Sequence, residues 1–249
     1  MEFLASYNIS VTSFLIVLLC AFLVGMSKTG FPGAGLAVVP LMAGVFGGRV
    51  STGFLLPVLI MADIFAVWYY HRNAQWKHVV KLLPWALAGI IVATVFGSKI
   101  SNELFNKTIA VLVIAGIVLM IWSDLRKGQN IPDNKWFSAF TGLTGGFATM
   151  MGNAAGPVLS LYLLSMRFPK KVFIGTGAWF FLIINVSKVP LHILYWKTIN
   201  WDTFRFDLIV FPAVLAGVFS GIKLVTYIPE KVFKWLIIST TIVSAIILI

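Results

Sequence analysis

The sequence predicts an all-α integral membrane protein built from two repeats. Of its 249 residues, 59% are hydrophobic and 11% are charged, and the mean hydropathy is +0.96. A soluble domain carries about a quarter charged residues, so most of this chain must face lipid or other membrane helices. We predict one membrane domain over residues 1–249, with a first repeat at about 9–124, a linker at about 125–135 and a second repeat at about 136–249.

Each repeat is predicted to begin with a broken helical hairpin. In the first repeat, the apolar runs 9–24 and 36–47 are shorter than the roughly 20 residues that a helix needs to span a bilayer. The segment between them contains glycines, a proline and Lys28, and glycine and proline interrupt helices. The two pieces therefore form either a re-entrant hairpin or two short spans.

Three transmembrane helices are predicted to complete the first repeat, at about 50–71, 82–98 and 106–122. The first of them contains Asp63, an acid in the middle of an apolar run. In the second helix, Gly89, Ala93 and Gly97 are spaced four apart, a spacing that lets a neighbouring helix approach closely.

The second half repeats this order. An apolar run at 136–150 is interrupted at 152–157 and continues at 158–166, and long apolar runs follow at 172–194, 206–222 and 231–249. Landmark residues recur at offsets of 121 to 128 positions, with Gly35 matching Gly156 and Asp63 matching Asn185. These matches indicate an internal duplication.

The distribution of basic residues predicts that the two repeats are inverted. If each hairpin returns to its own side, the short loops place twelve lysines and arginines on one side and five on the other. If each hairpin crosses once, the split is eight to nine. Cytoplasmic loops carry the excess of Lys and Arg, so the returning arrangement is favoured, with both termini on the outer (periplasmic) side of the membrane.

Composition and motifs exclude several functional classes. The net charge of +11 and the pI near 9.9 arise from basic loops between apolar runs, which argues for membrane topology rather than nucleic-acid binding. We expect no metal site or cofactor, because the chain has one cysteine and no Cys/His cluster. There is also no P-loop sequence for ATP and no nucleophile–base set at membrane depth, so an enzyme is disfavoured.

The glycine patterns of the two breaks resemble those of the sulfite exporter TauE/SafE family. The resemblance lies in Gly33-Ala34-Gly35-Leu36 leading to Val39-Pro40, in the second-half segment from Gly152 to Pro157, and in the length of the chain. It implies a bacterial inner-membrane exporter of small sulfur oxyanions or organosulfonates, such as sulfite, sulfoacetate or taurine-derived compounds.

The breaks independently predict an anion site. Helix N-termini carry unpaired N–H groups and partial positive charge, and glycine permits close backbone approach. If the repeats are inverted, the two hairpin tips meet from opposite faces, and the anion lies between them. The predicted substrate-binding residues are Ser27, Lys28, Thr29, Gly30, Gly33, Gly35, Thr149, Gly152 and Asn153.

Three further polar residues at membrane depth are predicted to form an ion pair or to couple transport to an ion. Asp63 could carry a proton or neutralise a buried lysine. Its predicted partner is Lys188, which lies one helical turn after the matching residue Asn185. Asn185 itself fits either an interhelical hydrogen bond or a ligand.

The leading functional hypothesis is a secondary transporter that exports a small sulfur-containing anion by alternating access. The alternatives are a passive anion channel, a transporter of another small anion such as a carboxylate, and an assembly component. The small-residue helix faces would also support a homodimer.

Overall fold

The structure is a computed structural model that describes residues 9–31, 34–105 and 135–229, together with single positions between 107 and 118 and at 232 and 235. The predicted third helices at 106–122 and 231–249 are described at only a few positions, and the linker at 125–135 lies outside the described residues apart from Lys135. The described helices are α1 (Val11–Thr29), α2 (Ala34–Phe46), α3 (Gly48–Tyr70), α4 (Trp76–Lys99), α5 (Lys135–Gly152), α6 (Gly156–Ser165), α7 (Lys170–Pro190) and α8 (Trp201–Tyr227), with a 3₁₀ turn at His71–Asn73 and a π turn at Leu191–Tyr195.

The helices confirm the predicted all-helical membrane fold class. Within the described residues, five helical segments are long and apolar enough to cross a membrane: Val11–Thr29, Gly48–Asn73, Trp76–Lys99, Lys170–Tyr195 and Trp201–Tyr227. The second arms of the two hairpins are short. At 13 and 10 residues, α2 and α6 have lengths of about 20 and 15 Å, well below the roughly 30 Å of a bilayer core.

The first break is shorter than the glycine pattern predicts. Helix α1 continues through Gly25 to Thr29, Gly30 and Phe31 are non-helical, and α2 begins at Ala34. Gly25 is a packing residue, because a Cβ there would collide with the backbone carbonyl of Val214 in α8. The glycine thus allows two helices to touch rather than ending one.

Helices α1 and α8 pack in parallel along their length. Phe14 meets Phe206 near their starts, and the Thr29 hydroxyl donates to the Val218 carbonyl oxygen near their ends, at 2.9 Å. Gly217 lies against the backbone of Phe22, where any side chain would overlap the carbonyl oxygen. Backbone contact of this kind is how membrane helices associate without a hydrophobic driving force between them.

Helices α4 and α5 form a second parallel pair with the same glycine chemistry. Gly89 lies against the backbone of Leu143, and Gly146 lies against that of Ala86. The predicted close approach of a neighbouring helix is confirmed at Gly89, whereas Gly97 lies against the Trp196 ring and the Met151 sulfur. Each of the two pairs, α1–α8 and α4–α5, therefore joins one helix from the first half of the sequence to one from the second half.

Helices α3 and α7 cross the centre of the bundle in opposite directions. Gly53 near the start of α3 lies against Thr198, just beyond α7, and Gly175 near the start of α7 lies against the Tyr70 carbonyl oxygen. Between these contacts, the Asn185 amide donates to Asp63 at 2.6 Å. The two residues that the duplication matches thus touch each other.

Two aromatic clusters show that each hairpin returns to the end of the bundle from which it starts. The first cluster joins the starts of α1, α3 and α8 to the end of α2, and it consists of Phe14, Phe46, Phe54 and Phe206. The second joins the starts of α4 and α5, the end of α6 and the turn before α7, and it consists of His78, Phe137, Tyr162 and Phe168. We call these the first and second ends of the bundle.

Candidate functional site

A cavity lies between the two broken hairpins. Its walls come from α1, α2 and α3 on one side and from α5, α6 and α7 on the other. Its polar lining consists of Ser27, Lys28, Thr149, Asn153, Ser160 and Asn185, and the rest is glycine and apolar side chains.

Lys28 provides the positive charge in the cavity wall. Its ammonium nitrogen lies 2.9 Å from an Asp63 carboxylate oxygen and 4.0 Å from the centroid of the Phe181 ring, a cation–π distance. The Lys28 side chain is 11% exposed and lines the cavity, whereas Asp63 is fully buried behind it. The prediction that Lys188 is the ion-pair partner of Asp63 is therefore wrong, because Lys28 occupies that place.

Asn185 connects this ion pair to the second half of the chain. Its amide nitrogen donates to the second Asp63 oxygen at 2.6 Å, and the residue is 1% exposed at the cavity wall. One carboxylate oxygen thus forms an ion pair with an ammonium, and the other accepts a hydrogen bond from a neutral amide. Both contacts stabilise the charged form of a group that is costly to bury.

Lys188 instead holds the second break. Its fully buried ammonium donates to the Thr149 carbonyl at 3.1 Å, to the Thr149 hydroxyl at 3.0 Å and to the Asn153 side-chain oxygen at 2.7 Å. These three acceptors match the three N–H groups of a lysine. Asn153 has φ of 54°, a left-handed conformation that asparagine tolerates, and its amide donates to the Thr52 carbonyl at 3.2 Å.

The structure brings some of the predicted substrate-binding residues to the cavity and places others elsewhere. Those at the wall are Ser27, Lys28, Gly35, Thr149 and Asn153, joined by Asn185. Gly33 lies outside the described residues.

Thr29, Gly30 and Gly152 do not line the cavity. The Thr29 hydroxyl is committed to carbonyls of Gly25 and Val218, and Gly30 lies against Gly221 of α8, so both serve helix packing. Gly152 is a buried residue at the end of α5.

The predicted set omits several wall residues, including Gly156, Ser160 and Phe181. Gly156 could have been included among the predicted binding residues, because the predicted duplication matches it to Gly35. Phe181 had no local signal, since its contact with Lys28 joins residues 153 positions apart in the sequence.

The electrostatics of the site favour an anion. Two ammonium groups and one carboxylate lie together, which leaves one net positive charge when all three are ionised. The first turns of α2 and α6 also border the cavity, at Gly35 and Gly156, and α6 has no side-chain cap. Amide N–H groups in a first helical turn have no partner within the helix and can bind an anion.

The described part of the chain shows no metal centre. In the described ranges, no group of three His, Cys, Asp or Glu residues is placed to bind an ion. The one cysteine, Cys20, is buried in the packing of α1.

Comparison with known proteins identifies the family. The family described as "Sulfite exporter TauE/SafE" matches residues 17–248, nearly the whole chain. No curated protein and no solved structure matches the chain. Membership in this family implies membrane transport of sulfur anions and agrees with a non-enzymatic role. The chain belongs to the sulfite exporter TauE/SafE family.

Proposed function

We propose that this protein is a secondary transporter that exports a small sulfur-containing anion, such as sulfite, sulfoacetate or a related organosulfonate, across the bacterial inner membrane. The proposal depends mainly on one observation. The Lys28 ammonium borders a cavity that the starts of both short helices, α2 and α6, also border. A cation and two sets of helix N-terminal amides around one cavity are suited to a compact oxyanion.

Alternating access by two inverted repeats is the proposed mechanism. Three features support it: the antiparallel α3 and α7, the exchange of helices between the halves in the pairs α1–α8 and α4–α5, and hairpins that return to their own ends. Inverted repeats with interrupted helices around a central site are a recurring design in secondary transporters. The repeats would rock against each other around the cavity.

The proposed orientation places the second end of the bundle in the cytoplasm and both termini outside. Outside the cavity region, the described basic residues number eight at the second end and five at the first. Those at the second end are Arg72, Lys77, Lys81, Lys135, Arg167, Lys170, Lys171 and Lys223; those at the first are Arg49, Lys99, Lys107, Lys197 and Arg205. This excess agrees with the positive-inside tendency.

Binding to the purified protein tests the role of Lys28. We expect calorimetry to detect sulfite, sulfoacetate or methanesulfonate, and Lys28→Ala to weaken that binding by roughly 10- to 150-fold, because a hydrogen bond to a charged group contributes about 1.5–3 kcal/mol. Lys107→Ala is the matched control, since it removes a lysine from an exposed ion pair with Glu103. Unchanged affinity in Lys28→Ala would exclude this lysine from the site.

Flux through reconstituted vesicles separates a transporter from a passive channel. A transporter gives a rate that saturates with anion concentration, and the rate should also fall in Lys28→Ala. A flux that rises linearly with concentration would favour the channel. Preference for acetate over the sulfur anions would point to a carboxylate transporter.

A further inference from the structure

We propose that Asp63 is a proton-binding site and that each anion bound by Lys28 brings one proton onto the Asp63 carboxylate. This inference depends on the proposed anion transport and adds to it a proton that binds together with the anion. It arises from the position of the Lys28–Asp63 ion pair, in which one partner faces the cavity and the other lies buried behind it.

An anion entering the cavity meets Lys28 before Asp63. The Lys28 ammonium is at the cavity wall, and Asp63 is 0% exposed and absent from the wall. The same ammonium already contacts the carboxylate at 2.9 Å and the Phe181 ring at 4.0 Å. A bound anion would therefore share this cation with Asp63, and two negative charges would lie on either side of one ammonium.

Among the described residues, no second cation directly contacts Asp63 to hold the carboxylate charge. Its other oxygen accepts from Asn185, which is a neutral amide. Lys188 is close enough for its charge to act on Asp63, but its ammonium is bonded to Thr149 and Asn153. Like charges a few ångströms apart in a site removed from water favour protonation of one of them. The carboxylate is the group that takes up the proton, because a sulfonate is the anion of a strong acid.

The step balances in atoms and in charge. Before binding, the Asp63 carboxylate is paired with the Lys28 ammonium, and the anion and a proton are in solution. After binding, the ammonium is paired with the anion, and the proton forms an O–H bond on Asp63. No other bond forms or breaks, and the net charge of the site is the same in the empty and loaded states.

The elements around α3 carry further ionisable groups. Those on the surrounding elements are Cys20 and Lys28 in α1; Lys135 in α5; Lys170, Lys171 and Lys188 in α7; His192 and Tyr195 in the π turn; Asp202, Arg205, Asp207, Lys223 and Tyr227 in α8; His71 and Arg72 in the 3₁₀ turn; and Arg49, Tyr69 and Tyr70 in α3 itself. The sequence of α2 has none. Within the described residues, Lys28 and Lys188 are the two whose charges act on Asp63.

Calorimetry of the purified full-length protein with methanesulfonate tests the inference. This probe stays ionised at every pH at which the protein can be studied, so any proton taken up must bind to the protein. Titrations in two buffers of different ionisation enthalpy give the number of protons bound per anion. We expect about one proton per anion, and an affinity that falls about tenfold for each unit of rising pH over the range in which that proton is taken up.

Two variants locate the proton. Asp63→Asn has a permanently neutral side chain of the same shape, so it should bind methanesulfonate without proton uptake and with an affinity independent of pH. Glu103→Gln is the matched control, because it neutralises a carboxylate in the exposed ion pair with Lys107, and it should behave as the wild type.

The outcomes separate this inference from the proposed function. Binding of methanesulfonate by the wild type without proton uptake would overturn the inference and leave the anion site in place. Full proton uptake in Asp63→Asn would also overturn it. No binding of methanesulfonate would overturn the inference, and no binding of sulfite or sulfoacetate either would overturn the proposed function as well. If Asp63→Asn does not fold, the wild-type titrations in two buffers still decide whether a proton is taken up with the anion.

Discussion

The stability of the buried Lys28–Asp63 pair can be tested by removing its two members singly and together. Lys28→Met keeps the length of the side chain and removes its charge, which leaves the fully buried Asp63 with only the Asn185 amide. Removing one partner of a buried ion pair costs about 3–5 kcal/mol. In a chain of this size, 1 kcal/mol shifts the melting temperature by about 2–4 °C, so we expect a fall of roughly 6–20 °C.

The double variant Lys28→Met/Asp63→Asn should recover more than half of this loss. It removes both charges, so no uncompensated ion remains buried, and an ion pair replaced as a whole by neutral groups is often tolerated. Asp63→Asn alone leaves the ammonium at the cavity wall, where it is 11% exposed, and should therefore cost less than Lys28→Met.

Thermal unfolding of the four proteins in the same detergent measures these differences. Lys107→Met is the control, because its ion pair with Glu103 is exposed and contributes about 0–1 kcal/mol. A Lys28→Met variant that melts with the wild type would refute the reasoning about the buried charge. A double variant as unstable as Lys28→Met would show that the loss comes from packing of the lysine side chain.

Two further variants test helix packing and the second break. Gly217→Ala should lower the free energy of unfolding by about 1–3 kcal/mol, because its Cβ would overlap a backbone carbonyl of α1 and force α1 and α8 apart. Gly44→Ala is the control, because a Cβ there has no atom within 4 Å, and it should not lower stability. Equal melting temperatures of the two variants would contradict this packing. Asn153→Gly preserves the left-handed backbone conformation and removes the side-chain oxygen that accepts from the buried Lys188 ammonium, so it should cost about 1–3 kcal/mol of stability. Arg167→Gly is the control, because Arg167 is exposed and has the same φ of 54°. A melting temperature for Asn153→Gly equal to that of its control would show that this bond is dispensable.

The sequence predicted those parts of the site that depend on isolated polar residues at membrane depth. Lys28 and Asp63 stand out because a charge in an apolar run is costly unless it is used, and both lie at the cavity or directly behind its wall. Gly35 and Asn153 were found because a break interrupts an apolar run at each position. The breaks and the charges are local features, which a single sequence reveals.

The parts that were missed depend on contacts between distant segments. Lys188 was chosen as the partner of Asp63 from its spacing along α7, but the bundle brings Lys28 to that carboxylate from 35 positions away. Gly25 and Gly30 could not be told apart from glycines of the break, because glycine serves both to end a helix and to let two helices touch. Only the position of α8 distinguishes the two uses.

The contact between Asp63 and Asn185 constrains how far the two halves of the chain could remain alike. Each is the counterpart of the other in the predicted duplication, and they meet at 2.6 Å, so a residue type placed at both positions would face itself. Two carboxylates at that distance would repel or share a proton, and two amides would leave Lys28 without a counter-ion. One acid and one amide avoid both outcomes, so the difference between these two matched positions gives the centre of the bundle a defined polarity.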